Sequence, residues 1–176
     1  MEKQAKKEEF RFQVQLKAKE LWLFSLYHSY RGMMGIFGLL FTVAALFLIV
    51  TKWNEVTTSY RLLLVICVLL FSVWQPAILY GKAKRQAALP AMQLPLELCF
   101  CESGFAVKQK EEQIECAWAD IFAIVELPQM LILYTDSIHA YLLTNQAMGE
   151  EREGFLAVLH TWVPKEQIKI RRRFFW

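Results

Sequence analysis

Four cysteines and three histidines are the residues of this 176-residue chain best fitted to nucleophilic, redox or metal chemistry. Their spacing limits what they can do. Cys99-Phe100-Cys101 is a C-x-C on a strand-like stretch, Cys116 stands alone downstream, and Cys67 sits inside an apolar run. A structural zinc site needs about four converging ligands, commonly offered as C-x2-C pairs, and no second pair follows Cys101. The cysteines are therefore expected to be reduced and structural. His139 is expected in mid-strand and His160 near a helix end, where a cation suits the dipole. His28 reads as a polar residue at an interface. Asp120 and Asp136 stand in turn contexts, and Glu111-Glu112 and Glu150-Glu151 read as solvated faces. No phosphate loop, dinucleotide fingerprint, zinc-protease helix or nucleophile elbow occurs. The expectation is a chain that is not an enzyme, with no catalytic residue, cofactor or metal.

Basic and aromatic residues offer a different chemistry. The chain ends in Arg171, Arg172, Arg173, Phe174, Phe175 and Trp176. Arginines near an anionic leaflet each gain about 1 kcal/mol, and aromatic rings prefer the membrane interface. With Lys82, Lys84 and Arg85, these are the expected membrane-surface contacts. Net charge is only +3, and no basic face extends through the sequence, so nucleic acid is not expected as a partner.

The elements that would carry these residues follow from hydropathy. The chain is 56% hydrophobic, and the apolar residues concentrate in two uncharged runs, 33–50 and 62–80. The first would be about 27 Å long as a helix, close to the hydrocarbon thickness of a bilayer. Both runs are expected to be transmembrane helices. The first is not read as a cleaved signal, because the residues before it look structured and no A-x-A site follows within reach. Lys and Arg crowd the segments before the first run and after the second, whereas the loop between holds only Lys52 and Arg61. Both termini are thus expected to be cytoplasmic. Neither run contains an ionisable Asp, Glu, Lys, Arg or His, which argues against a pump or proton-coupled transporter acting alone.

Gly35, Gly38 and Thr42 keep small residues on one helical face, which favours close helix packing. Either the two spans pack on each other as a hairpin, or this face meets another chain. Pro76 predicts a kink in the second span, and Gln75 is expected to hydrogen-bond across the hairpin or to a partner.

Around the spans the pattern changes. Phe10-Arg-Phe-Gln-Val-Gln-Leu16 alternates with period two, a strand with one buried face, expected to pair with strands far downstream. A helix over residues 17–31 leads into the first span. After Arg85 the sequence reads as strands joined by short hairpins at Glu102-Ser103-Gly104, Glu111-Glu112 and Thr135-Asp136-Ser137. Phe155, Val158, Leu159 and Trp162 then form the apolar stripe of a closing helix, ended by Pro164. The expected class is an α+β membrane protein. It joins a two-helix transmembrane hairpin to a small antiparallel β domain, a pleckstrin-homology-like partial barrel closed by a C-terminal helix.

Several of these features together resemble the YcxB-like family of small bacterial membrane proteins. They are the leading strand, Leu23-Phe-Ser-Leu-Tyr27 at the entry to the first span, the two spans, and the basic exit Gly81-Lys-Ala-Lys-Arg85. Further along come the Glu102-Ser-Gly104 turn, Trp118-Ala-Asp120-Ile121, Leu131-Ile-Leu-Tyr134 and Tyr141-Leu-Leu143. Where such proteins usually carry Pro-Lys after the last strand, this chain has Thr144-Asn145. The resemblance implies a bacterial plasma membrane and the two-span plan, and no activity.

The expected organisation is residues 1–31 as leading strand and interfacial helix, 32–81 as hairpin, and 82–176 as cytoplasmic domain. The expected function is a membrane-anchored binding or regulatory module whose cytoplasmic domain engages a protein partner or lipid headgroups. The alternative is an accessory subunit or homo-oligomeric component of a membrane transporter. Expected partners are the lipid bilayer, in particular its anionic inner leaflet, and a membrane protein or second copy.

Overall fold

The computed structural model describes residues 9–164 and 166–170. The chain divides into two compact units, Met1–Leu16 with Leu94–Trp176, and Lys17–Gln93.

The first unit is built on two sheets. β1 (Phe10–Val14), β2 (Leu96–Cys101), β3 (Gly104–Gln109) and β4 (Glu112–Ala117) pair antiparallel in chain order. β5 (Ala123–Glu126), β6 (Met130–Tyr134) and β7 (Ala140–Thr144) form a second antiparallel set, and β8 (Ile168–Ile170) joins β5 in parallel. Period-two alternation puts Phe12, Val14, Leu98, Phe100, Phe105 and Val107 on the buried face of the first sheet. β6 is buried along its whole length, so its five apolar residues do not alternate. Thr144 caps one helical turn, its hydroxyl accepting the Ala147 N–H at 3.2 Å. The closing helix α5 (Arg152–Trp162) follows, and its Phe155 meets the rings of Phe10, Phe12 and Phe100 with centroids 4.8–5.3 Å apart.

Three details depart from expectation. The strand at 168–170 was not foreseen; it is too short for a periodic signal and finds its partner in β5. His139 lies in the turn before β7 rather than in mid-strand, where Asp136 holds it. The two sheets remain separate: no strand pairing closes them into a barrel among the described residues.

The second unit is helical. α1 (Ala18–Arg31) stops at Gly32, and α2 (Met33–Lys52) runs back to back with one long rod made of α3 (Thr58–Leu69), a π-helical turn (Leu70–Trp74) and α4 (Gln75–Ala87). Gly35 and Gly38 are both buried. A Cβ on Gly38 would stand 2.8 Å from the Phe71 ring, so the glycine is what lets α2 approach there. Thr42 donates to Gly38 O within its own helix at 2.8 Å. The two apolar helices pack on each other, with Gly38 against Phe71 near the start of α2.

The irregularity at Gln75-Pro76 has a local cause. The Gln75 N–H reaches back five residues to Leu70 O, and Pro76 has no N–H to give. Phe71 O would be left unpaired; the Tyr30 hydroxyl of α1 donates to it at 3.0 Å. The Trp22 indole donates to Pro76 O at 3.0 Å, and its ring meets Tyr80 edge-on at 5.6 Å. α1 thus packs along α4 and satisfies the break in the rod. The Gln75 side chain has no hydrogen-bond partner among the described residues. The carbonyl needing a partner is bonded by Tyr30 instead. Because Phe71 sits opposite Gly38, near the start of α2, the later turns of α4 run past α2 and lie against α1.

Candidate partner-binding groove

The site begins with short side chains in register. On the outer face of the first sheet, Arg11, Cys99, Ala106 and Glu115 lie side by side across four strands. Cys101, Gly104 and Ala117 form the neighbouring row, and Glu97, Lys108 and Gln113 the row on the other side. Small residues in the middle and long charged ones around them leave a groove of about 640 Å³. Gly104 is required for a further reason. A Cβ there would run into Cys116 O and stand 2.8 Å from Ala117 Cα, so only glycine lets β4 close onto β3. The Trp118 indole donates to Cys101 O at 2.9 Å and closes the end of the hairpin.

The groove is ionic. Glu9, Glu97, Glu115 and Asp120 line it against Arg11 and Lys108, an excess of negative charge. Arg11 bridges Glu9 at 3.5 Å with both side chains solvated, a contact worth little to stability. Burial, and then the Glu97 carboxylate, push the Cys99 thiol up from its ordinary range; burial and Asp120 do the same to Cys116. Both stay protonated at neutral pH, and a neutral thiol is a poor nucleophile and metal ligand. Cys101 stands 3.2 Å from the Ser103 hydroxyl. Among the described residues no three His, Cys, Asp or Glu side chains converge as metal ligands would.

β4 forms one border of this groove. Its residues are exposed almost throughout, and its outer edge carries no strand among the described residues. Sequence reasoning read this stretch as a hairpin arm and missed both its position at a sheet edge and the groove, because neither shows until strand order is known.

Elsewhere the polar side chains tie the fold together. Arg152 of α5 reaches Glu126 at 3.4 Å and donates to Asn145 Oδ1 at 3.2 Å, and His160 stands 3.7 Å from Glu126. Asp136 takes the Ile138 and His139 N–H groups at 2.6 and 2.7 Å, with the His139 ring on its other oxygen. These bonds lower the Asp136 carboxyl to about 2.

The residues expected to touch a membrane fall into two groups. Lys82, Lys84 and Arg85 are exposed on α4. Arg171, Arg172, Arg173, Phe174, Phe175 and Trp176 lie outside the described residues.

Fold and site together define a small α+β protein whose first two paired strands are separated in sequence by an apolar helical hairpin. Residues 100–159 match the family model described as YcxB-like protein. The match runs from β2 into α5, and so lies within the two-sheet unit; the features that carried the resemblance before residue 100 are outside it. No curated protein and no solved structure matches the chain.

Proposed function

We propose that this protein is a non-enzymatic module anchored in a bacterial membrane by its helical hairpin, whose two-sheet domain binds a protein partner on the cytoplasmic side. The supporting observation is the insertion itself. Val14 of β1 lies opposite Leu96 of β2, so both chain crossings leave the sheet from the same end, and the intervening segment holds two helices long and apolar enough to cross a bilayer. Only 17% of the Gly35–Lys52 window and 6% of the Thr58–Ala87 window is buried by protein. The core helices of a soluble domain would be mostly covered, whereas Phe47 and Val50 here are 65% and 81% exposed.

Charge supports the orientation. Where the two helices meet, Lys52 at the end of α2 is paired with Glu55 at 2.6 Å and Arg61 in the first turn of α3 lies over the Trp53 ring, while Arg31, Lys82, Lys84 and Arg85 at the opposite ends are exposed. We read the order of four strands, three strands and a closing helix, with β8 added after it, as a pleckstrin-homology-like arrangement suited to binding. The net acidic groove favours a protein partner over anionic headgroups at that face, and leaves headgroup contact to Lys82, Lys84, Arg85 and the basic–aromatic tail.

Purification of the native chain in mild detergent, with mass and co-purifying proteins determined, tests this reading. A foreign protein in stoichiometric amount supports it; a lone monomer contradicts a stable protein partner. A second reading, a homo-oligomeric or accessory transporter component, draws on the groove beside the π-turn, lined by Leu70, Trp74, Ile78 and Gln75 with its amide unpaired among the described residues. A closed homo-oligomer, or a transporter in the same preparation, would favour that one.

A further inference from the structure

We propose that the outer edge of β4, which carries no strand among the described residues, takes up one extended segment of a protein partner, with alternating apolar and basic residues, as a fifth strand of the four-stranded sheet. This rests on the protein-binding reading above and names the contact.

An edge strand presents unpaired N–H and C=O groups that a further strand can satisfy. Here the side chains also specify what that strand must carry. Phe12, Leu98, Val107 and Ile114 form one row across the buried face of the sheet. The first three are 3%, 0% and 4% exposed, and Ile114 is 53% exposed. The apolar row therefore runs one strand beyond its cover, and an apolar residue opposite Ile114 would complete it. On the opposite face Glu115 and Gln113 border the groove, with Lys108 opposite Gln113; Glu111 stands exposed at the turn beside Lys110, and Glu112 is exposed on the face of Ile114. A partner strand with Lys or Arg on this face meets that charge. Alternation follows from the pleat, since neighbouring residues of a strand face opposite ways.

The same charges argue against a second copy. Two β4 edges paired antiparallel would bring two sets of Glu111, Glu112 and Glu115 into one seam, and like charges across strands are destabilising.

The test uses the full chain in an uncharged detergent and a fluorescent six-residue peptide alternating Lys and Ile, read by anisotropy at low salt. Two controls are a peptide of the same composition in two blocks and one alternating Glu and Ile. The proposal expects the alternating basic peptide to bind at least tenfold tighter than either control. Glu115→Lys should weaken it about tenfold, and Ile114→Ser several-fold, with circular dichroism unchanged. Equal binding of the block peptide, or no effect of either substitution, would overturn it. So would binding that appears only after removal of residues 171–176, which would give the edge to the chain's own tail. A photo-crosslinker placed at Gln113, and separately at Ala106 in the groove, separates the two levels. Capture of a protein partner from Ala106 alone overturns the edge contact and leaves the binding reading standing. Capture from neither position overturns both.

Discussion

At the scale of single residues, the strongest constraints are steric and hydrogen-bonding. Gly104→Val would push a side chain into the Cys116 carbonyl. Overpacking of this kind costs about 1–3 kcal/mol, so a clear drop in melting temperature is expected, with the hairpin arms separating first in hydrogen exchange. Tyr30→Phe removes the donor to Phe71 O. The loss should be about 1 kcal/mol, read as reduced thermal stability in detergent. Asp136 gives a prediction with a sign. Its folded-state value of about 2 lies below the usual carboxylate range. Its contribution is therefore present above about pH 4 and lost as pH falls toward 2. Amide exchange at Ile138 and His139 should accelerate in that window, and Asp136→Asn should abolish the pH dependence. None of these three roles was legible as chemistry in the sequence. Asp136 read as a turn residue, which it is; Gly104 read as part of a turn and opens β3; and nothing in the sequence singled out the Tyr30 hydroxyl as a donor. Its partner is a carbonyl far along the chain, freed by a proline.

At the scale of elements, the strands that alternate were readable and those that do not were less so. Phe10-Arg-Phe-Gln-Val14 showed its buried face directly and pairs, as expected, with a distant strand. The closing helix was equally plain, and its Phe155 is fully buried among three phenylalanines. Phe155→Ala should cost about 3–5 kcal/mol and lower the unfolding midpoint accordingly. The strand at 168–170 escaped because three residues give no period. The helix over 18–31 was foreseen, but its contacts were not: packing on α4 is fixed by a π-turn that no periodicity signals. The groove and the β4 edge were invisible for a similar reason. They arise from register between strands, where short residues happen to align, and register is a property of pairs.

At the scale of the whole molecule, chain order is the informative feature. A sheet whose first two strands are joined through some eighty residues holding two long apolar helices is a sheet attached twice to whatever holds those helices. Hydropathy announced the two helices at once. It placed the second at 62–80, whereas the rod extends to residue 87, because the basic residues that end the hydropathic signal continue the helix. What the domain binds was not readable from composition, since the charges that shape the groove cancel in the net count. The central claim is that the hairpin crosses a membrane with the two-sheet domain on the inner side. It is tested most directly by single cysteines at Glu55 and at Glu111, in a background with the native cysteines replaced by alanine. Intact cells are treated with a membrane-impermeant maleimide. The account predicts labelling at Glu55→Cys in intact cells, and at Glu111→Cys only after permeabilisation. Labelling of both positions in intact cells, or recovery of the chain in the soluble fraction, would contradict it.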